Sequence, residues 1–197
     1  MNQEIEKIKT GTEDVQMSGL KTEMIHIGSP DGTFTKEEQE NIRRAGRILK
    51  EGGLVAFPTE TVYGLGGDAL NPDSARRIYA AKGRPSDNPL IVHIAETGAL
   101  GKIASRIPGS ALKLAETFWP GPLTMILPKS EIVPKATTGG LETVAVRMPD
   151  HPVALALIRE GGGYVAAPSA NTSGKPSPTL AAYVAEDMDG RIDMILD

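Results

Sequence analysis

Two polar segments about twenty residues apart hold the side chains with which this chain can do chemistry. Pro58-Thr59-Glu60-Thr61-Val62-Tyr63-Gly64 stands where an apolar strand runs out, and Lys82-Gly83-Arg84-Pro85-Ser86-Asp87-Asn88-Pro89 stands where a helix ends. A third, Ser169-Ala170-Asn171, follows another apolar stretch. Hydroxyls, amides and cations gathered at element ends can hold a small anionic substrate. The chemistry they suit is nucleotide handling. Arg84 offers a planar fork for phosphate, Lys82 a point charge and Asn88 an oriented amide.

Each residue has a plainer reading. Lys82 and Arg84 can be helix-end cations meeting the C-terminal dipole. The stiff polar run Pro85 to Pro89, entering a strand, is a poor place for charge that is merely solvated, and it favours the phosphate reading. Both are expected to be exposed. Arg147 closes an apolar strand, so it either pairs with an acid or clamps a substrate carboxylate. His93, inside an apolar strand, reads as a core histidine. The glycines of Tyr63-Gly64-Leu65-Gly66-Gly67 are expected to let a ligand approach the backbone. Gly174-Lys175 lacks the earlier spaced glycine of a phosphate-binding P-loop. Ser169 lacks the elbow glycines of a hydrolase nucleophile. The three histidines are scattered and cysteine is absent, so no protein-built metal site is expected.

Alternating elements must position these segments. Met24 to Ile27 reads as a short strand. Thr35 with Glu38 makes a capping box for a helix whose Ile42, Ala45, Ile48 and Leu49 repeat at helical spacing until Gly52-Gly53. Leu54 to Phe57 is a strand buried on both faces. Asn71-Pro72-Asp73 opens a helix that Gly83 and Pro85 stop. Strands follow at 90–94, 123–127, 144–147, 164–167 and 192–196. Helices are expected near 97–105 and 109–118, from an Asp150 cap to Glu160, and at 179–187. Strands alternating with helices predict one twisted α/β domain over residues 23–197, after a polar, aperiodic lead-in at 1–22.

Bulk properties narrow the classes. The 197 residues suffice for one domain, and 40% hydrophobic residues with 4% aromatics imply an aliphatic core. The longest apolar runs are strand-sized, so no membrane span is predicted and the cytoplasm is the default. A net charge of −4 argues against a whole surface that binds nucleic acid. That negative charge sits mostly beyond Leu180, which leaves the middle near neutral.

Taken together, Phe57 to Gly66, Ala81 to Ile94, Val144 to Pro149 and Ala167 to Thr179 resemble the YrdC family of L-threonylcarbamoyladenylate synthases. The Lys-x-Arg pair Lys82/Arg84 and the Ser-x-Asn pair Ser169/Asn171 are that family's signature and its catalytic set. The resemblance implies a YrdC-like twisted α/β domain around a deep basic cavity. It implies that ATP, L-threonine and bicarbonate or carbon dioxide give threonylcarbamoyl-AMP and pyrophosphate, with Mg²⁺ accompanying ATP. A downstream transferase complex would then modify tRNA. Thr61, His93, Arg147 and Ser169 would hold L-threonine, with Arg147 on its carboxylate. Arg84, Asn88, Thr143, Asn171 and Thr179 would hold ATP, with Lys82 adding charge near the phosphates.

Family members continue with a further strand and an Arg-Pro-Gly segment beyond the point matching Asp197, and a longer form adds another domain. The chain is therefore expected to be truncated relative to the family. The alternative reading is a double-stranded RNA or tRNA-binding module without synthase activity, with weak tRNA binding as its mark; the charge and the few aromatics weigh against it. The related carbamoyltransferase domain of hydrogenase maturation is disfavoured by the absence of cysteine.

Overall fold

The computed structural model describes residues 20–29 and 31–197, so all but the last three positions of the expected lead-in lie outside the described residues. In chain order the elements are β1 (Glu23–Ile25), α1 (Lys36–Lys50), β2 (Val55–Phe57), β3 (Gly64–Asp68), α2 (Pro72–Lys82) and β4 (Ile91–His93). A 3₁₀ turn (Thr97–Ala99) leads into α3 (Leu100–Ile103). Then come α4 (Gly109–Phe118), β5 (Thr124–Pro128), β6 (Thr143–Arg147), α5 (Pro152–Glu160), β7 (Val165–Ala166), α6 (Ala181–Met188) and β8 (Met194–Leu196).

The strands form one mixed eight-stranded sheet in the order β1-β8-β2-β3-β7-β4-β6-β5. Strand alternation sends successive side chains to opposite faces. Along β2, Leu54 and Ala56 join the core under α2, α4 and α6, while Val55 and Phe57 join the core under α1 and α5. β8 divides likewise, with Ile195 on the first face and Met194 and Leu196 on the second. The result is the expected α/β domain, a sheet between two helical layers.

Local chemistry explains most boundaries. Thr35 and Glu38 cap α1 reciprocally, and Asn71 accepts from the Asp73 N–H to open α2. Gly83 closes α2 at φ 59°, where a β-carbon would be strained. The helix at 152–160 starts differently from expectation: His151, not Asp150, occupies the cap position, and no side chain caps it. Pro152 at its first turn supplies the start instead.

The larger correction concerns Gly66 and Gly67 of the glycine run, which lie in a buried central strand rather than against a ligand, while Gly64 at its start lines the cleft described below. β3 pairs antiparallel with both β2 and β7. A β-carbon on Gly66 would stand 2.9 Å from both Phe57 Cε1 and Val165 Cγ1, and one on Gly67 would crowd Ile78 and Leu54. These glycines let large neighbours close over the strand. Gly66→Ala is expected to cost about 1–3 kcal/mol by overpacking, read as a lower urea midpoint with an unchanged slope.

Candidate active site

A cleft of about 140 Å³ opens on the sheet face that also carries α1 and α5, lined by Thr59, Val62, Tyr63, Gly64, Ile91, His93, Arg147, Ala167, Pro168 and Ser169. Its volume lies below the roughly 300–1,000 Å³ of drug-sized sites, so it suits one small molecule. Register explains the gathering. β4 and β6 run parallel with Ile91 opposite Ala145 and His93 opposite Arg147, and Ala167 donates its N–H to the Ile91 carbonyl. On β6, Val144 and Val146 enter the core, which leaves Thr143, Ala145 and Arg147 on the accessible face.

Arg147 carries the charge of this cleft. Its Nη2 donates to Thr61 Oγ1 at 3.0 Å and stands 2.8 Å from Glu60 Oε1 in an ion pair. The ion pair is shielded, with side-chain exposures of 11% and 20%. Arg147 Nε is buried and has no partner. The loop between β2 and β3 presents Glu60 and Thr61 because Thr59 Oγ1 accepts from the Thr61 and Val62 N–H groups and donates to the Val62 carbonyl. His93 lies beneath, its Nδ1 3.1 Å from the Ile91 carbonyl and its ring edge-on to Phe57. Burial, and then the nearby Arg147 cation, pull its pKa down to about 4, so the ring is neutral near pH 7.

Lys82 is not exposed, contrary to the sequence expectation. It is 3% exposed, and Nζ donates to the backbone carbonyls of Ser169 and Asn171, each at 2.5 Å. Its ammonium is therefore spent on holding the Ser-Ala-Asn loop, neither on its own helix end nor on solvent. Burial, with Arg84 adding to it, draws its pKa down to about 8, against the opposing pull of Asp187. Asn171 is also committed: Nδ2 donates to the carbonyls of Thr172 and Lys175, and Oδ1 accepts from Ser169 Oγ. Asp187 of α6 fastens the next stretch through the Thr172 N–H and Oγ1 and through Lys175 Nζ. Lys175, and then the Thr172 N–H, hold its carboxyl below the usual range.

The remaining expected residues lie apart from Arg147. Two residues back along both parallel strands from the Ile91–Ala145 pair stand Pro89 and Thr143. Thr143 is thus at the opposite end of the β6 face, roughly 13 Å from Arg147 at strand spacing. Asn88 precedes Pro89 and is exposed, and Arg84 lies along the same loop, with long 3.4 Å contacts to the Asn88 and Pro89 carbonyls. Tyr79 Oη braces this loop at the Asn88 carbonyl. Thr179 borders a second, larger cleft beside Lys175, Tyr183 and Asp187.

The structure thus brings Thr61, His93, Arg147 and Ser169 around one cleft and joins Lys82 to Ser169 and Asn171, while Arg84 and Asn88 share a separate loop and Thr143 stands at the far end of β6. Sequence reasoning missed Glu60 and Asp187. The signal for Glu60 was its position between two threonines at a strand end, where a partly buried arginine finds its acid. Asp187 gave none, since its partners lie 12 to 15 residues away across a loop. Among the described residues no group of three or more His, Asp or Glu stands ready to hold a metal, and no helix is long and apolar enough to cross a membrane.

This chain carries, on a mixed sheet between two helical layers, a small cleft that ends at a shielded arginine. It belongs to the Sua5/YciO/YrdC family: residues 47–197 match the family model described as telomere recombination. The chain is 59% identical over 160 residues to the threonylcarbamoyl-AMP synthase of Pyrococcus abyssi, covering 81% of this chain and 47% of that protein. It is 55% identical over 179 residues to the Bacillus subtilis threonylcarbamoyl-AMP synthase, covering 90% and 51%. The crystal structure of P. abyssi Sua5 complexed with L-threonine matches with a TM-score of 0.82 at 53% identity, covering 89% of this chain and 49% of that one. The chain spans about half the length of these relatives.

Lys82→Met keeps the apolar stem but leaves two carbonyls without their donor. It is expected to destabilise the protein by about 2–4 kcal/mol, seen as a lower melting temperature with earlier hydrogen exchange in residues 169–175. For His93 the folded pKa of about 4 lies below the ordinary 6.5. The unfolded chain therefore binds this proton first as pH falls, and stability drops between about 6.5 and 4 by roughly 3 kcal/mol. His93→Gln should remove that part of the slope in urea titrations across this pH range.

Proposed function

We propose that the chain has L-threonylcarbamoyladenylate synthase activity, a nucleotidyl transfer from ATP. The observation that carries this is the gathering of Thr61, His93, Arg147 and Ser169 around one small cleft that ends at a shielded arginine, on a β6 face whose other end carries Thr143. Two substrates that must react are best held end to end on a rigid surface. Further support is the 53%-identical relative whose structure holds L-threonine. In this reading Thr61, His93, Arg147 and Ser169 hold threonine, and Arg84, Asn88, Thr143 and Thr179 hold ATP. Lys82 and Asn171 act by positioning, because their polar atoms are already engaged.

The threonine amine adds to carbon dioxide, forming an N–C bond and releasing a proton. One oxygen of the resulting carbamate attacks the α-phosphorus of ATP, supplied with Mg²⁺ as a substrate complex. The new O–P bond forms as the bond to the β-phosphate oxygen breaks, and pyrophosphate leaves. The nucleophile belongs to the substrate, so the protein must align the two and neutralise the charge that develops on the α-phosphate. Arg84 supplies that cation. The product would pass to a complex that transfers threonylcarbamoyl to tRNA in the cytoplasm.

Pyrophosphate release from ATP, Mg²⁺ and bicarbonate is expected only when L-threonine is added; release without threonine, or none with it, overturns the reading. Arg147→Ala is expected to raise the threonine KM roughly 100-fold while leaving the ATP KM within about threefold. Equal loss for both substrates would remove Arg147 from the threonine end.

A further inference from the structure

We infer that Glu60 is an internal stand-in for the substrate carboxylate, one that pairs with Arg147 and must release it for threonine to bind. The inference rests on the reading that Arg147 takes the threonine carboxylate. It adds a residue that sets how tightly, and for which ligands, that end of the cleft closes.

A carboxylate can grip an arginine in bidentate fashion on two edges, Nε with Nη2 or Nη1 with Nη2, and Nη2 belongs to both. Nη2 donates one N–H to Thr61 Oγ1 at 3.0 Å and is ion-paired with Glu60 Oε1 2.8 Å away. Neither edge is therefore free. Nε, in contrast, is buried without a partner, and an orphaned donor in so shielded a place marks a bond awaiting a ligand. An incoming carboxylate that takes Nε and Nη2 satisfies the orphan but needs one neighbour of Nη2 to give way. Glu60 is that neighbour. Two carboxylates on one guanidinium would repel in a pair only 11% and 20% exposed, whereas the neutral Thr61 hydroxyl carries no such penalty.

Displacing Glu60 makes binding selective. A ligand with a full carboxylate replaces the ion pair with another and also satisfies Nε. An uncharged ligand of the same shape cannot, and it meets Arg147 still occupied. The ion pair thus imposes a threshold that only a carboxylate crosses. The loop is suited to the movement: beyond its ion pair with Arg147 the Glu60 side chain makes no hydrogen bond among the described residues, while Thr59 keeps the turn fixed without it.

Calorimetric titration of the chain with L-threonine, and in parallel with its alcohol L-threoninol, tests this. Glu60→Gln keeps shape and volume but removes the competing charge. It is expected to tighten L-threonine about tenfold, the loss of one charge-assisted competitor, and to leave L-threoninol within about twofold. Glu60→Ala should tighten L-threonine at least as much, and it serves if the amide re-forms a bond to Nη2 or folds poorly. Unchanged or weaker L-threonine binding in both variants would mean that Glu60 stays in place and orients Arg147, and would overturn the inference. Equal tightening of threoninol would do the same, because the gain would then owe nothing to the carboxylate. Arg147→Ala separates the two levels. If it leaves threonine affinity intact, the carboxylate assignment itself fails; if it abolishes binding while the Glu60 variants show no gain, only the stand-in role fails.

Discussion

Lys82 reaches under the Ser169–Asn171 loop from the last turn of α2, and its ammonium is the donor that two backbone carbonyls of that loop require. Much of the site follows from this contact. It fixes Ser169 at the cleft wall, where an isolated bridge to Gly64 continues the sheet beyond β7. It also orders Asn171, whose amide then ties Thr172 and Lys175. A buried cation is costly unless fully hydrogen-bonded, so the contact survives only because carbonyls surround it. Gly83 beside it permits the turn that sends Arg84 away in the other direction, leaving that guanidinium near solvent. One cation of the pair organises the protein and the next remains available.

The rest of the site follows from sheet geometry. Parallel pairing of β4 and β6 puts His93 and Arg147 side by side, and the pleat keeps Thr143, Ala145 and Arg147 on one face. A row of positions on a rigid strand is a better ruler than a loop, because its spacing cannot relax. The electrostatics differ along this row. At one end a shielded arginine is balanced by Glu60 above a neutral, buried histidine; apart from it, a half-buried, loosely tied Arg84 lies beside the exposed Asn88. The first environment suits a small, fully enclosed anion and the second a larger, partly hydrated one.

Most elements were legible because their signals are local. The Thr35/Glu38 box, the Asn71-Pro72 start, the Gly83 stop and the apolar run before Phe57 each need only a few neighbouring residues to be read. The Gly66-Gly67 end of the glycine run was misread for the same reason. Its composition is that of a loop, and only the side chains of Phe57, Val165, Ile78 and Leu54, brought in from other strands and a helix, turn it into a central strand. The cap of α5 was misplaced by one residue because Asp150 has the right chemistry, while the backbone and Pro152 set the start.

The sequence by itself determined which residue types stand at which element ends, and with them the family, the α/β class and the polar segments that meet. Those are properties of order along the chain. What only the tertiary structure decided is how each polar atom is spent. Lys82 went to carbonyls 87 and 89 residues away, Arg147 to a glutamate on another loop, and Asn171 to its own turn. Sequence records that a cation is present; whether it is solvated, clamped or held in reserve depends on the acceptors that packing brings within about 3 Å, and those come from residues far apart in the chain.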